Sequence, residues 1–233
     1  MKLLRRTSLG AFAAVRTWPF TLAMTVAVTI IGALSGTVWR AHHDAIKDAV
    51  GSDLDGLLHL RLYTLITAPF YQSDPGIGWS MVLMMFLFLG ALEYSAGSKR
   101  TAVTFFASDI IATVGGTVVL TLLGEAGWQY AHDAARTADS GSSVGMFACA
   151  AAFAALLPGI WRWLGLAPLM GFLLPSLAWF SFATWCQHLI GVTAAAALSA
   201  GCWTRAPVRL PFPSLLASGR DRFAQVSRRR RLT

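Results

Sequence analysis

The sequence predicts an all-α membrane protein, a bundle of six transmembrane helices with both termini in the cytoplasm, and three observations carry that expectation. Of 233 residues, 55% are hydrophobic and only 13% charged, about half the roughly 25% charged content of soluble domains. Six apolar stretches come close to or reach the ~20 residues that cross a hydrocarbon core as a helix. The basic residues gather on one side of the bundle that these stretches would form. In lipid every backbone N–H and C=O needs an internal partner, which favours helices over open sheets. The period-2 alternation of a barrel strand is missing.

The elements follow in order. Residues 1–17 form a basic cytoplasmic segment. Its Arg5-Arg6-Thr7-Ser8-Leu9-Gly10 looks like a twin-arginine export signal, but the run behind it is long enough to span and five more follow. It reads as the flank of a first span, Trp18–Val38. The loop Arg40–Gly76 carries Leu54, Leu57, Leu58, Leu60, Leu62 and Leu65 and is expected to lie in the membrane interface. The second and third spans are Gly78–Ala96, with Glu93 near its inner end, and Thr101–Leu123, with Asp109 near its middle. The fourth is Ser143–Ile160. The fifth, Leu164–Phe182, is interrupted by Pro168 and Pro175 and should kink there. The sixth is Thr184–Trp203. Residues 18–203 thus form one membrane domain, and 204–233 a basic cytoplasmic tail.

With the N-terminus inside, fifteen Lys and Arg residues fall on the inner segments and four (Arg40, Lys47, Arg61 and Arg136) on the outer ones. Eight of eleven acidic residues fall outside. This asymmetry supports an even number of spans and a plasma (inner) membrane orientation. The net charge of +8 therefore speaks for topology and anionic lipid rather than for nucleic acid. Cys149, Cys186 and Cys202 lie in or at the ends of spans with no CxxC pair and read as packing residues. His42, His43, His59 and Asp44 have no metal-site spacing, so neither metal nor cofactor is expected.

Polar side chains retained in a span mark the place to look for function. The fourth span opens Ser140-Gly141-Ser142-Ser143-Val144-Gly145-Met146-Phe147, and the sixth Thr184-Trp185-Cys186-Gln187-His188-Leu189-Ile190-Gly191. Both start at the outer face, which puts Ser143 and His188 at similar depth. Gly141, Gly145, Ala148, Ala152 and Ala155 on one helix, and Gly191, Ala195 and Ser199 on the other, form small-residue faces that let backbones approach. A hydroxyl and an imidazole so placed form a nucleophile and its base. The unpaired amides of the fourth helix start would face the oxyanion, and Phe147 is spaced to pack on the imidazole. The plain alternatives are a serine cap and a histidine serving as a hydrogen-bond link. Asp109 reads as a polar contact to Ser108 or Thr104, and Glu93 as a structural bond.

Residues 57–203 resemble the rhomboid intramembrane serine proteases and their pseudoprotease relatives. Gly141-Ser142-Ser143 with Met146-Phe147 looks like the family's Gly-x-Ser-Gly stretch, and His188-Leu189-Ile190-Gly191 like its His-x-x-Gly. Leu89-Gly90-Ala91-Leu92-Glu93 with Gly97 is similar to its second-helix ending. Arg61-Leu62-Tyr63-Thr64 resembles its Trp-Arg-x-x-Thr entry, with Leu60 in the tryptophan position. The resemblance implies Ser143 as nucleophile and His188 as base, supported by Gly141, Ser142, Phe147, Gln187 and Gly191. It implies a transmembrane-helix protein as substrate, entering laterally beside the broken fifth helix. The chain departs from the family at Val144, in place of the second glycine, and at Ile77 and Met81, where a histidine and an asparagine usually face the oxyanion. Losing one such donor typically costs ~10²–10³ in rate. The rival expectation is a catalytically silent relative that binds transmembrane helices of client proteins. A third is an unrelated six-helix transporter using Asp109.

Overall fold

The computed structural model describes residues 18–37, 44–72, 78–178 and 181–202. Both basic terminal segments, Ile77, His42 and His43 lie outside the described residues. Within them the chain is helical, with α1 (Pro19–Ser35), α2 (Asp44–Val50), α3 (Leu54–Leu58), α4 (Thr64–Thr67), α5 (Gly78–Ala96), α6 (Ser98–Glu125), α7 (Gln129–Arg136), α8 (Ser143–Leu156), α9 (Ile160–Leu173) and α10 (Phe182–Cys202). The only β-pairing among the described residues is one antiparallel bridge between Ser52 and Asp139.

Each of the six predicted spans coincides with a long helix, with shifted ends. Pro158 and Gly159 stop α8 at Leu156, four residues before the expected end. The fifth span breaks at the second of its prolines, whereas the helix runs on through the first. Pro168 sits inside α9, the helix ends at Leu173, and a 3-10 turn at Pro175–Ala178 follows. Ser176 closes this end by donating to the Leu173 carbonyl at 2.7 Å. Two helical segments, Ser98–Glu125 and Ile160–Ala178, are long and apolar enough to cross a membrane. Helices α1 and α8 have 17 and 14 residues. Helix α10 has 21, but Gln187 and His188 lower its mean hydropathy.

Helix α8 is the centre of the bundle. Ten of its fourteen residues are buried, as suits a helix that is apolar all round. Its most extensive packing is with α10, and α5, α6 and α9 complete its surroundings. The closeness is built on glycine. A Cβ at Gly145 would lie 2.6 Å from the buried Phe105 ring of α6, and one at Gly191 would lie 2.7 Å from Val144 Cγ1 of α8. A Cβ at Gly116 of α6 would lie 2.7 Å from Gln187 Cγ of α10. Helices α6 and α10 thus converge on the start of α8, with side chains of one seated on glycines of another.

Two buried carboxylates tie helix starts to neighbouring helices. Glu93 of α5, 2% exposed, accepts from the Phe20 and Thr21 amides at 2.8 Å each and from the Thr21 hydroxyl at 2.6 Å. It caps α1 across the bundle, occupying amides that no intrahelical carbonyl can reach. This is the structural bond expected of Glu93. Asp109 of α6 lies beside the backbone N–H of Gly145 in the first turn of α8. The expected partners were Ser108 and Thr104, and the outcome differs. The Thr104 hydroxyl donates to the Arg100 carbonyl one turn back on its own helix at 2.9 Å, while Asp109 faces the open amides of another helix.

The leucine-rich loop folds into α2, α3 and α4 and leaves Leu58, Leu60, Leu62, Tyr63 and Ile66 exposed. Asp53 caps α3 by accepting from the Gly56 amide and pairs with Arg61 at 3.3 Å. The Thr64 hydroxyl donates to the Arg61 carbonyl at 2.7 Å, and that of Thr67 to the Val50 carbonyl at 2.9 Å.

Candidate functional site

The site is assembled from the approach to α8 upward. Gly141 has φ +140, a backbone conformation open to glycine and strained for other residues. This kink delivers the chain into the helix at Ser142–Ser143. The leucine-rich loop holds the kink from outside. The Gly141 amide donates to the Ala68 carbonyl at 3.0 Å, and Gln72 Nε2 donates to Ser142 Oγ at 2.9 Å. Ser142 is fully buried, and its side chain makes no capping bond to α8. Its hydroxyl is engaged by Gln72 and belongs to the scaffold. Ser143, the first residue of α8, is partly exposed at the helix start. A Cβ on Gly141 would come within 4.0 Å of its Oγ, so glycine keeps the space beside the hydroxyl open.

On the facing helix, His188 is 2% exposed. Helix α10 begins at Phe182, so His188 is six residues past its start, about 9 Å along the axis at 1.5 Å per residue, deeper than the sequence spacing implied. Its Nδ1 lies 2.7 Å from the Thr184 carbonyl. A carbonyl only accepts, so Nδ1 carries the proton, and this assignment leaves Nε2 as the basic nitrogen. The Phe147 ring meets the imidazole edge-on, with centroids 5.3 Å apart and planes at 74°. Phe147 is itself stacked on Phe172 of α9 at 5.6 Å and 7°, and touches Phe88 of α5 at 5.6 Å. The aromatic contact expected of Phe147 is present. Gly191, one turn beyond His188, seats Val144. The two motifs therefore face each other, with Val144 on Gly191 and Phe147 on His188.

Gln187 takes a different place from the one expected of an oxyanion donor. Its side chain faces the Asp139 carboxyl across a shared cleft and lies against Gly116 of α6. It belongs to a polar cleft of about 380 Å³ between α2, α7 and the start of α10, whose lining includes Lys47, Thr117, Asp139, Thr184 and Gln187. Met81 is buried in the apolar core with Met85, Phe105 and Met146 and supplies no donor.

Gln72, Asp139 and Thr184 do work in the site that the motifs did not announce. Asp139 counted only as one of eight outer carboxylates in the charge pattern. Its place two residues before Gly141 was the available signal. The contacts of Gln72 and Thr184 depend on how the loop and α10 fold back, which sequence spacing does not carry. Among the described residues no group of three His, Cys, Asp or Glu side chains gathers to hold a metal. No family model matches the chain, and neither the curated proteins nor the solved structures compared with it yield a match.

Proposed function

We propose that the chain is a rhomboid-like intramembrane serine protease that crosses the plasma membrane six times with both termini in the cytoplasm. Large apolar side chains exposed on α1, α5, α6 and α9, among them Leu34, Leu87, Val118 and Trp163, support a lipid surroundings for the bundle. The observation that carries the catalytic reading is the pairing of α8 and α10, with His188 gripped between the Thr184 carbonyl and the Phe147 ring beside the start of the serine helix.

In this reading His188 Nε2 takes the Ser143 hydroxyl proton as Oγ attacks a peptide carbonyl near the outer face. The tetrahedral oxyanion forms beside the Ser143 and Val144 amides, which the first helical turn leaves without an intrahelical acceptor. The imidazolium returns its proton to the leaving amine as the acyl-enzyme forms. Water, deprotonated by the same nitrogen, then releases the acyl group. The substrate is a membrane protein whose helix enters beside the broken α9 and unwinds near Ser143. No metal or cofactor takes part.

A second reading is favoured by two observations. The Asp109 carboxyl lies beside the Gly145 amide and brings an acid to the helix start where negative charge would develop, and Met81 is apolar and buried. A silent relative that binds client transmembrane helices fits both. Fluorophosphonate labelling of the detergent-purified protein separates the two readings. The protease reading expects label on wild type and a loss of at least about tenfold in both Ser143→Ala and His188→Ala. Wild-type uptake no greater than that of Ser143→Ala sinks it and leaves helix binding.

A further inference from the structure

We propose that Asp139 is a positioning residue for His188, holding Gln187 and the start of α10 in place while setting a carboxylate in the field of the imidazole. The inference rests on the protease reading and assigns that site an acidic member that its motifs lack.

The geometry begins with the backbone. Ser52 and Asp139 exchange both bridge bonds, Ser52 N to Asp139 O and Asp139 N to Ser52 O, each 2.9 Å. Such an exchange fixes a residue in register as a ladder pair does. The approach is close because Gly51 has no side chain. A Cβ there would stand 2.9 Å from the Asp139 carbonyl and 3.2 Å from Ala138 Cβ. The leucine-rich loop thus clamps Asp139 two residues before the Gly141 kink. Its side chain lines the cleft that Gln187 of α10 also lines. The cleft that contains both also contains Thr184, whose carbonyl orients His188 Nδ1. One residue therefore links the loop, the approach to the serine helix and the histidine helix.

The electrostatics point the same way. Burial pushes the Asp139 carboxyl above the ordinary carboxylate range. The Lys47 ammonium from α2, the Gln187 side chain, the Ser140 amide and the His188 imidazole oppose that rise. The other titratable groups around it are Asp133 and Tyr130 of α7, which share the cleft, and Asp109 of α6, whose carboxyl feels Asp139. A carboxylate near His188 stabilises the imidazolium that forms as Ser143 loses its proton. Because burial raises the Asp139 carboxyl, this support is complete only well above the ordinary carboxylate range, and it fades as pH falls through the raised value.

The test follows the His188 imidazole by NMR in full-length, histidine-labelled protein in detergent, with the resonance identified by its loss in His188→Gln. Fluorophosphonate labelling is run on the same samples. In the isosteric Asp139→Asn the His188 titration midpoint is expected to fall by at least about half a pH unit, and Asp139→Glu should recover part of the shift. The labelling rate should drop in Asp139→Asn, with its rising limb moved to lower pH. A midpoint unmoved in Asp139→Asn overturns the inference, even where wild type labels normally. A moved midpoint in protein that takes no label upholds the coupling of Asp139 to His188 and overturns the protease reading instead.

Discussion

Helices α10 and α9 both pack on the serine helix, by different means. Against α10 and α6, glycines remove the side chains that would hold the helices apart. Gly191 takes Val144, Gly116 of α6 takes Gln187, and Gly145 takes the Phe105 ring. Against α9, contact is a single stripe. Gly165 makes one close approach, where a Cβ would stand 2.9 Å from Ala154 Cβ near the α8 end, and Leu169 and Leu173 bury themselves with Phe147 and Ala151. The remainder of α9 faces outward, with Ile160, Trp163 and Leu164 each more than half exposed. Pro168 interrupts its hydrogen-bond ladder, and it barely touches α10. One side of α8 is a close-packed seat for His188, and the other carries a mostly exposed helix that approaches closely only at Gly165. Glycine at a helix crossing brings backbones together, whereas proline within a helix removes a hydrogen bond and lets it depart.

Substitutions can break or sharpen this contrast, and thermal unfolding in detergent reads each one. The largest effect is expected from Gly145→Ala. Its new Cβ would stand 2.6 Å from a ring with no room to retreat, which costs about 1–3 kcal/mol. The matched change on the loose helix, Gly171→Ala, meets nothing within 4 Å and should leave stability unchanged or raise it by up to about 1 kcal/mol. Equal losses at the two sites would show that α9 is packed as tightly as α6 is at Gly145. Next comes Asp109→Ala, which removes the carboxyl beside the Gly145 amide and is expected to cost about 0.5–2 kcal/mol, as lost helix caps do. Asp109→Asn keeps an acceptor and should recover most of it. A melting temperature unmoved by Asp109→Ala would mean that water replaces the carboxyl at the α8 start. The smallest change is expected from Pro168→Ala, which restores one backbone donor at an exposed position inside α9. A rise of under about 1 kcal/mol is anticipated, and a fall would show that the proline itself is needed for packing.

The two buried acids show where sequence reading succeeds and where it stops. Glu93 sits near the C-terminal end of its helix, close to where α1 begins, and that position made a structural bond the natural expectation. Asp109 lies mid-helix, where the sequence presents only local partners. Its real neighbour, the Gly145 amide, is 36 residues away and becomes near only because Gly145 and Gly191 let α6, α8 and α10 converge. Gln187 illustrates the same limit. Its neighbour His188 suggested a place at the oxyanion, but adjacent residues on a helix point about 100° apart, and Gln187 faces Asp139.

By itself the sequence determined the positions of the long helices, the break after Leu173 and the pairing of the two small-residue faces. These follow from local rules: apolar run length, proline chemistry and the absence of side-chain bulk. The contact of Phe147 with His188 was legible for the same reason, since it needs only one turn of helix and a close neighbour. Only the tertiary structure decided that Asp109 lies at the start of α8, that Gln72 holds Ser142, and that the leucine-rich loop clamps Asp139 beside the histidine helix. Each of these contacts joins segments far apart in the chain to a backbone or side-chain group that exists almost everywhere in the sequence. Which amide is left open, and which carboxyl reaches it, is settled by the way the helices converge.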